Sequence, residues 1–104
     1  MRKTSVLLAI FSYLLCSSAW ADGTFKSFEV TTALTFPTRI AIDKSDSVWF
    51  IESNFNKIGQ FQPDQGKFSE HAIPTTRALP GDITISAGGQ VWISELDANQ
   101  LGVF

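Results

Sequence analysis

Beyond residue 21 the chain alternates short apolar runs with clusters of turn-forming residues. Ile40-Ala41-Ile42, Val48 to Glu52 and Lys57 to Phe61 are β-branched and aromatic stretches, separated by Asp43 to Ser47 and by Ser53 to Asn56. Pro63-Asp64-Gln65-Gly66 then turns the chain into a further run from Lys67 to Ile73. No window beyond the first 21 residues carries apolar residues at helical spacing over about ten positions, so every one of these runs is predicted to be a strand.

The pattern repeats. At an offset of 43, Phe25 falls on Phe68, Thr32 on Thr75, Pro37 on Pro80, Ile40 on Ile83 and Ile42 on Ile85. Val48-Trp49 falls on Val91-Trp92, Glu52 on Glu95, Asn56 on Asn99, Gly59 on Gly102 and Phe61 on Phe104. These are 11 identities in 37 ungapped pairs, residues 25–61 against 68–104. A period of about 40 to 50 residues belongs to propeller blades or helical arrays, and strand-type runs select the blade. The predicted fold class is therefore all-β, built of four-stranded antiparallel propeller blades. Ordered outward from the axis, one whole blade runs from Ile40 to near Ile73. An orphan outer strand, Thr24 to Val30, precedes it, and three strands from Asp82 to Phe104 follow. Residues 22–104 thus read as an incomplete propeller, one complete and two partial blades, since a ring closes with about 4 to 8. Open strand edges at 24–30 and 100–104 are expected to pair with other chains, giving self-association.

The first residues read differently. Met1-Arg2-Lys3 gives a positive start, Ser5 to Cys16 an apolar stretch, and Ala19-Trp20-Ala21 the small residues at −3 and −1 of a signal peptidase site. Residues 1–21 are read as a signal peptide cleaved between Ala21 and Asp22, directing a periplasmic or secreted product. The stretch is shorter than the roughly 20 residues of a membrane span, and Leu15 before Cys16 is not the small residue of a lipidation signal. No membrane association is expected after cleavage.

Cleavage changes the charge. Six basic and ten acidic residues remain, a net of −4, which argues against a phosphate-tracking nucleic-acid partner. The one cysteine leaves with the leader, so neither a disulfide nor a thiolate metal site supports the mature chain. A composition 44% hydrophobic and 17% charged is that of an ordered globular chain.

The unit Pro37-Thr38-Arg39-Ile40-Ala41-Ile42-Asp43, followed by Val48-Trp49-Phe50-Ile51-Glu52 and Asn56-Lys57-Ile58-Gly59-Gln60-Phe61, resembles the repeat of the streptogramin lyases, or virginiamycin B lyases. The second copy, Val91-Trp92-Ile93-Ser94-Glu95 and Asn99 to Phe104, resembles it equally. The resemblance implies an N-terminal stretch of a seven-bladed propeller. It also implies an enzyme that opens a cyclic depsipeptide antibiotic by elimination across a C–O bond with Mg²⁺, a reaction needing a base and a cation for the developing oxyanion. Family histidines follow the repeat's proline and a glutamate precedes it, mostly in later blades. Here those places hold Thr38 and Gly81, and Phe36 and Leu79. Thr38 also stands where the resemblance implies a substrate-contacting tyrosine, which makes it the candidate substrate-binding residue. Glu52 and Glu95 fit the acidic place after tryptophan and are the candidate Mg²⁺ ligands.

Each candidate has a plainer reading. A glutamate recurring at a strand end bonds turn groups of a neighbouring blade as readily as it holds a cation. Trp49 and Trp92 are expected in the inter-blade core rather than stacked on a ligand. Asp43 and Asp46 frame a hairpin turn, their second-copy counterparts being Ser86 and Gly89. Gly88-Gly89 likewise reads as hairpin chemistry. His71, on the outer strand, is read as a half-exposed surface residue. Two functions therefore stand. One is a Mg²⁺-dependent lyase on a cyclic peptide or other small-molecule ligand, inactive over this stretch alone; the other is a non-catalytic binding or scaffold propeller. Lactone hydrolysis is a weaker third, because no Glu, Asn and Asp calcium set can be assembled.

Overall fold

Seven strands form where β-branched and aromatic residues alternate between turn clusters: β1 (Pro37–Ile42), β2 (Val48–Glu52), β3 (Lys57–Gln62), β4 (Lys67–Ala72), β5 (Pro80–Ile85), β6 (Val91–Glu95) and β7 (Gln100–Val103). They come from a computed structural model that describes residues 23–104. The leader expected over 1–21 and its cleavage point at Ala21 and Asp22 lie outside the described residues. The strands make two antiparallel meanders, β1-β2-β3-β4 and β5-β6-β7, and no described helix is long and apolar enough to cross a membrane. Each first strand begins at its proline, earlier than the apolar run alone indicates, because a register shift between Thr38 and Ile40, and between Pro80 and Ile83, lets pairing resume across a bulge.

The repeat extends to backbone conformation. Left-handed φ values recur at Leu34 and Arg77 (61° and 51°), Phe36 and Leu79 (51° and 51°), Asp46 and Gly89 (62° and 86°), and Asn56 and Asn99 (54° and 54°). Asn54 N–H donates to Thr35 O and, one repeat later, Asp97 N–H donates to Ala78 O, so the β2–β3 and β6–β7 turns each hold the segment entering their own sheet.

Strand alternation gives each sheet two faces. On the first sheet Trp49, Ile51 and Ile58 point inward, towards Ile83, Val91 and Ile93 of the second, and with Ile73 and Ala78 these form the buried core. β5 packs against β1 and β2. The opposite face of the first sheet carries Ile40, Val48, Phe50, Phe61 and Phe68, whose registers Ile40↔Phe50, Val48↔Phe61 and Phe61↔Phe68 place them on one side. The opposite face of the second sheet carries Trp92, Ser94, Leu101 and Val103 through the pairs Trp92↔Val103 and Ser94↔Leu101.

Two expectations change. No strand forms over the described residues before Pro37. The segment expected as an outer strand at 24–30 instead lies across the outer face of the first sheet, with the Phe28 ring 4.6 Å from that of Phe61. Phe25 is fully exposed. Trp92 is also outside the core formed by the described residues, 36% exposed against 6% for Trp49, because no described strand lies upon its face.

Candidate functional site

Thr38 sits at the bulge that opens β1, exposed, with its hydroxyl 2.8 Å from that of Ser53 in the β2–β3 turn. It lines a groove of about 560 Å³ on the outer face of the first sheet, walled by Phe28, Ile40, Phe50, Phe61 and Phe68. The groove is apolar, with Thr38 and Arg39 as its polar margin. Such a surface suits a hydrophobic ring system, or another sheet, better than an ionic ligand.

Glu52 closes β2 and is fully buried. It lies opposite Lys57 on β3, and Glu70 comes beside it from β4, which is paired with Gly59. Lys57 Nζ bonds Glu70 Oε2 at 3.0 Å. Neither Glu52 oxygen has a donor, and Glu70 Oε1 has none. Burial, then the adjacent Glu70 charge, push the Glu52 carboxyl above its ordinary range. The Thr32 hydroxyl and Lys57 hold Glu70 below its own. A proton on Glu52 would give Glu70 Oε1 a donor and leave one Glu52 oxygen unpartnered, with Lys57 beside the remaining charge.

Glu95, one repeat later, is buried but differently served: its Oε2 accepts from Gln100 Nε2 at 2.7 Å, and the same amide nitrogen lies 2.8 Å from Thr75 Oγ1. It lines a second cavity of about 370 Å³ with Ile73, Pro74, Thr75 and Gln100. The two glutamates therefore lie on different sheets, and the structure does not bring them to a common centre. No group of three or more His, Cys, Asp or Glu side chains converges among the described residues. A fully buried carboxyl opposite the Lys57 ammonium, with no third acidic or imidazole group converging on it among the described residues, is a poor donor set for Mg²⁺, which takes several oxygen ligands and waters in octahedral geometry, so the surroundings of Glu52 do not fit that ion.

The turn residues have structural duties. Asp43 Oδ1 accepts from Ser45 and Ser47 backbone N–H groups at 2.8 and 3.0 Å, and its Oδ2 accepts from Trp49 Nε1 at 2.8 Å. The indole bond, first, holds the Asp43 carboxyl below its usual range. Gly89, at φ 86°, completes the equivalent β5–β6 hairpin, where its N–H reaches Ser86 O at 2.9 Å. His71 is partly exposed on the outer strand, as its position implied, but its ring stacks 5.7 Å from Trp49 and lies tilted 4.5 Å from Phe104, with its Nε2 buried. The outer strand of the first sheet faces the end of the second there, which a two-residue alternation cannot reveal.

Glu70 went unrecognised in the sequence because the preceding copy has Ser27 in its place, so no recurrence marks it. Asn56, by contrast, recurs as Asn99.

No curated protein matches the chain by sequence. Among solved structures, selenomethionine-substituted virginiamycin B lyase from Staphylococcus aureus superposes with a TM-score of 0.71 at 35% identity, over 79% of this chain and 28% of that one. A streptogramin B lyase structure superposes at 0.72 and 29% identity, over 79% and 27%. A catalytically inactive histidine-to-alanine virginiamycin B lyase from Staphylococcus aureus with quinupristin gives 0.71 and 35%, over 79% and 28%. The present chain thus spans less than a third of the length of these propeller lyases. The model of the virginiamycin B lyase family matches residues 17–104, and with the repeat and the two blade-type sheets now described, the chain belongs to that family.

Proposed function

We propose that the chain serves an exported streptogramin-lyase-type propeller whose activity is Mg²⁺-assisted C–O bond elimination on cyclic depsipeptides. In this reading residues 23–104 supply scaffold and a groove wall rather than the base. One observation carries the division of labour. The places where the resemblance puts proton-transfer groups hold Phe36, Thr38, Leu79 and Gly81, and the two candidate acids, Glu52 and Glu95, are buried within their sheets. Neither can reach a substrate proton from there. The apolar groove beside Thr38 is the surface offered to a macrocycle of the quinupristin type. The family's Mg²⁺ finds no fitting donor set around Glu52.

Incubating the purified chain with quinupristin and Mg²⁺, and following ring opening by mass spectrometry, tests this reading. The intact macrocycle is expected to persist; turnover would overturn the assignment of scaffold alone. The apolar groove equally favours a second reading, a binding propeller without chemistry. Heat on titrating quinupristin into the chain, lost in Thr38→Asp, would support a ligand wall. Export to the periplasm or medium is checked by the mass of the recovered protein, which should begin at Asp22.

A further inference from the structure

The two ends of the strands differ in what they show to water. At the end where β1 starts and β2 finishes lie the segment before β1, the β2–β3 turn, the crossing 73–79 and the β6–β7 turn. Leu34, Phe36, Phe55, Leu79 and Leu96 are all exposed there, Phe55 at 44%, Leu79 at 51% and Leu96 at 60%. The turns at the opposite end, 43–47, 63–66 and 86–90, hold no exposed large apolar side chain. Three of the apolar residues gather at one joint. Asn56 Oδ1 accepts the N–H of Ala78, which brings Phe55, before the one, and Leu79, after the other, to the place where the two sheets meet. Leu96 N–H donates to Leu79 O at 3.1 Å, and the Leu96 side chain covers Gly81, where a Cβ would lie 2.7 Å from Leu96 Cδ1. Phe55 and Leu79 have described chain on both sides, so their exposure belongs to the strand ends. Ser53, the first-copy counterpart of Leu96, is exposed in the same way with the second sheet beside it. Apolar groups grouped in this way on connecting segments mark an interaction surface.

Leu79 is held at φ 51°, a left-handed conformation that large side chains avoid and that gathers at ligand sites. The polar neighbours define the ligand. Asn56 is engaged with the crossing, and Asn54 Nδ2 with Leu34 O at 2.9 Å. The exposed Thr38 and Ser53 hydroxyls stand 2.8 Å apart, and one of them can donate to a carbonyl. Exposed Arg39 and Arg77 are balanced by exposed Asp82 and Asp97, so no field of one sign draws an ion to this end. Apolar side chains beside neutral hydroxyls suit a ring of amides and esters with aromatic or aliphatic substituents. Resting on the depsipeptide reading given above, we propose that Phe55, Leu79 and Leu96 form the seat for an apolar substituent of the cyclic depsipeptide, with the Thr38 and Ser53 pair donating to a ring carbonyl. Thr38 also lines the groove on the first sheet, so it joins the seat to that wall.

Equilibrium dialysis of quinupristin against the purified full chain tests the seat, with circular dichroism as the control for folding. Leu79→Asn removes the apolar surface with a residue that tolerates φ 51°. Phe55→Ser and Leu96→Ser remove it from the two turns without altering Leu79, and carry the test should Leu79→Asn fail to fold. Each folded variant is expected to bind about tenfold more weakly, the effect of losing one buried apolar side chain. Leu79→Met, which keeps apolar bulk, and Gln65→Ala, in a turn at the opposite end, should bind as the unaltered chain does. Full affinity in folded Leu79→Asn or Leu96→Ser, or an equal loss in Gln65→Ala, would overturn the seat and leave the depsipeptide reading intact. No binding by the unaltered chain would overturn both.

Discussion

Asn56 holds the chain as it passes from one sheet to the next: its Oδ1 accepts the backbone N–H of Ala78 at 3.0 Å, 22 residues further on. Its Nδ2 donates to Thr75 O at 2.8 Å and to Ile73 O at 3.3 Å. All of its side-chain bonds go to the crossing between β4 and β5, so one turn of the first sheet sets where the second begins.

Replacing Asn56 should therefore loosen the two sheets together. Asn56→Ala leaves the N–H of fully buried Ala78 without its partner and places alanine at φ 54°. A loss of about 3 kcal/mol is expected, combining an unsatisfied buried donor with left-handed strain. Asn56→Gly loses the same bonds but accepts the conformation, and should be less damaging by about 1 kcal/mol. Urea midpoints of the two variants measure the difference; equal losses would remove the strain component.

Gly59 and Gly102 occupy equivalent places but should tolerate a methyl unequally. A Cβ at Gly59 meets the Phe50 ring and lies 2.7 Å from Glu52 Oε1, whereas at Gly102 the nearest atom is Ile93 Cγ1 at 3.1 Å. Gly59→Ala must displace an aromatic ring and a buried acid and should cost about 2 to 3 kcal/mol. Gly102→Ala needs a shift of a few tenths of an ångström and should cost roughly 1 kcal/mol or less. Thermal unfolding of both variants checks the ordering.

The strands and their repeat were legible because strand alternation and turn chemistry are local, and the offset of 43 samples them twice. Local rules carry no information on whether a face is covered. Trp49 and Trp92 hold the same repeat position, each after a valine, yet the first packs in the core with Ile83 and Ile93 and the second is exposed among the described residues. Residues 25–30 have strand composition but no neighbouring strand in the described chain to impose the conformation. Of the candidate site, the places of Glu52 and Glu95 were visible and their partners were not. Glu70 reaches Glu52 across two strand pairings, and Gln100 reaches Glu95 across a hairpin.

The Glu52 and Glu70 pair makes opposing contributions as pH changes. Glu52 has a raised carboxyl in the folded chain, so the fold binds its proton more tightly than the unfolded chain does, and stability from this group falls as pH rises from its ordinary value of 4.5 through the folded value. Glu70 is depressed, so its contribution is present above its ordinary value and is lost as pH falls through the folded one. Glu52→Gln keeps a donor for Glu70 Oε1 and removes the ionisation. The variant should gain about 1 kcal/mol at neutral pH and lose the decline of stability between mildly acidic and neutral pH. Urea unfolding across that range, with an unchanged decline in the variant, would place the proton elsewhere.

Asp43 gives the opposite sign in isolation. Its carboxyl is held low first by the Trp49 indole and then by the Ser47 and Ser45 amides, so its stabilisation is complete above the unfolded pKa and disappears as pH falls through the folded one. Trp49→Phe removes the indole donor and leaves the two backbone bonds at 2.8 and 3.0 Å. The substitution costs packing at every pH, since Trp49 is buried against the second sheet. Its distinguishing effect is on slope: the acid limb of the stability curve should move to higher pH relative to the unaltered chain, and Asp43→Asn should flatten that limb in both backgrounds. Chemical denaturation from acidic to neutral pH reads both effects. If Trp49→Phe only lowered the whole curve, the indole would be a packing group alone and the turn would owe its charge to the serine amides.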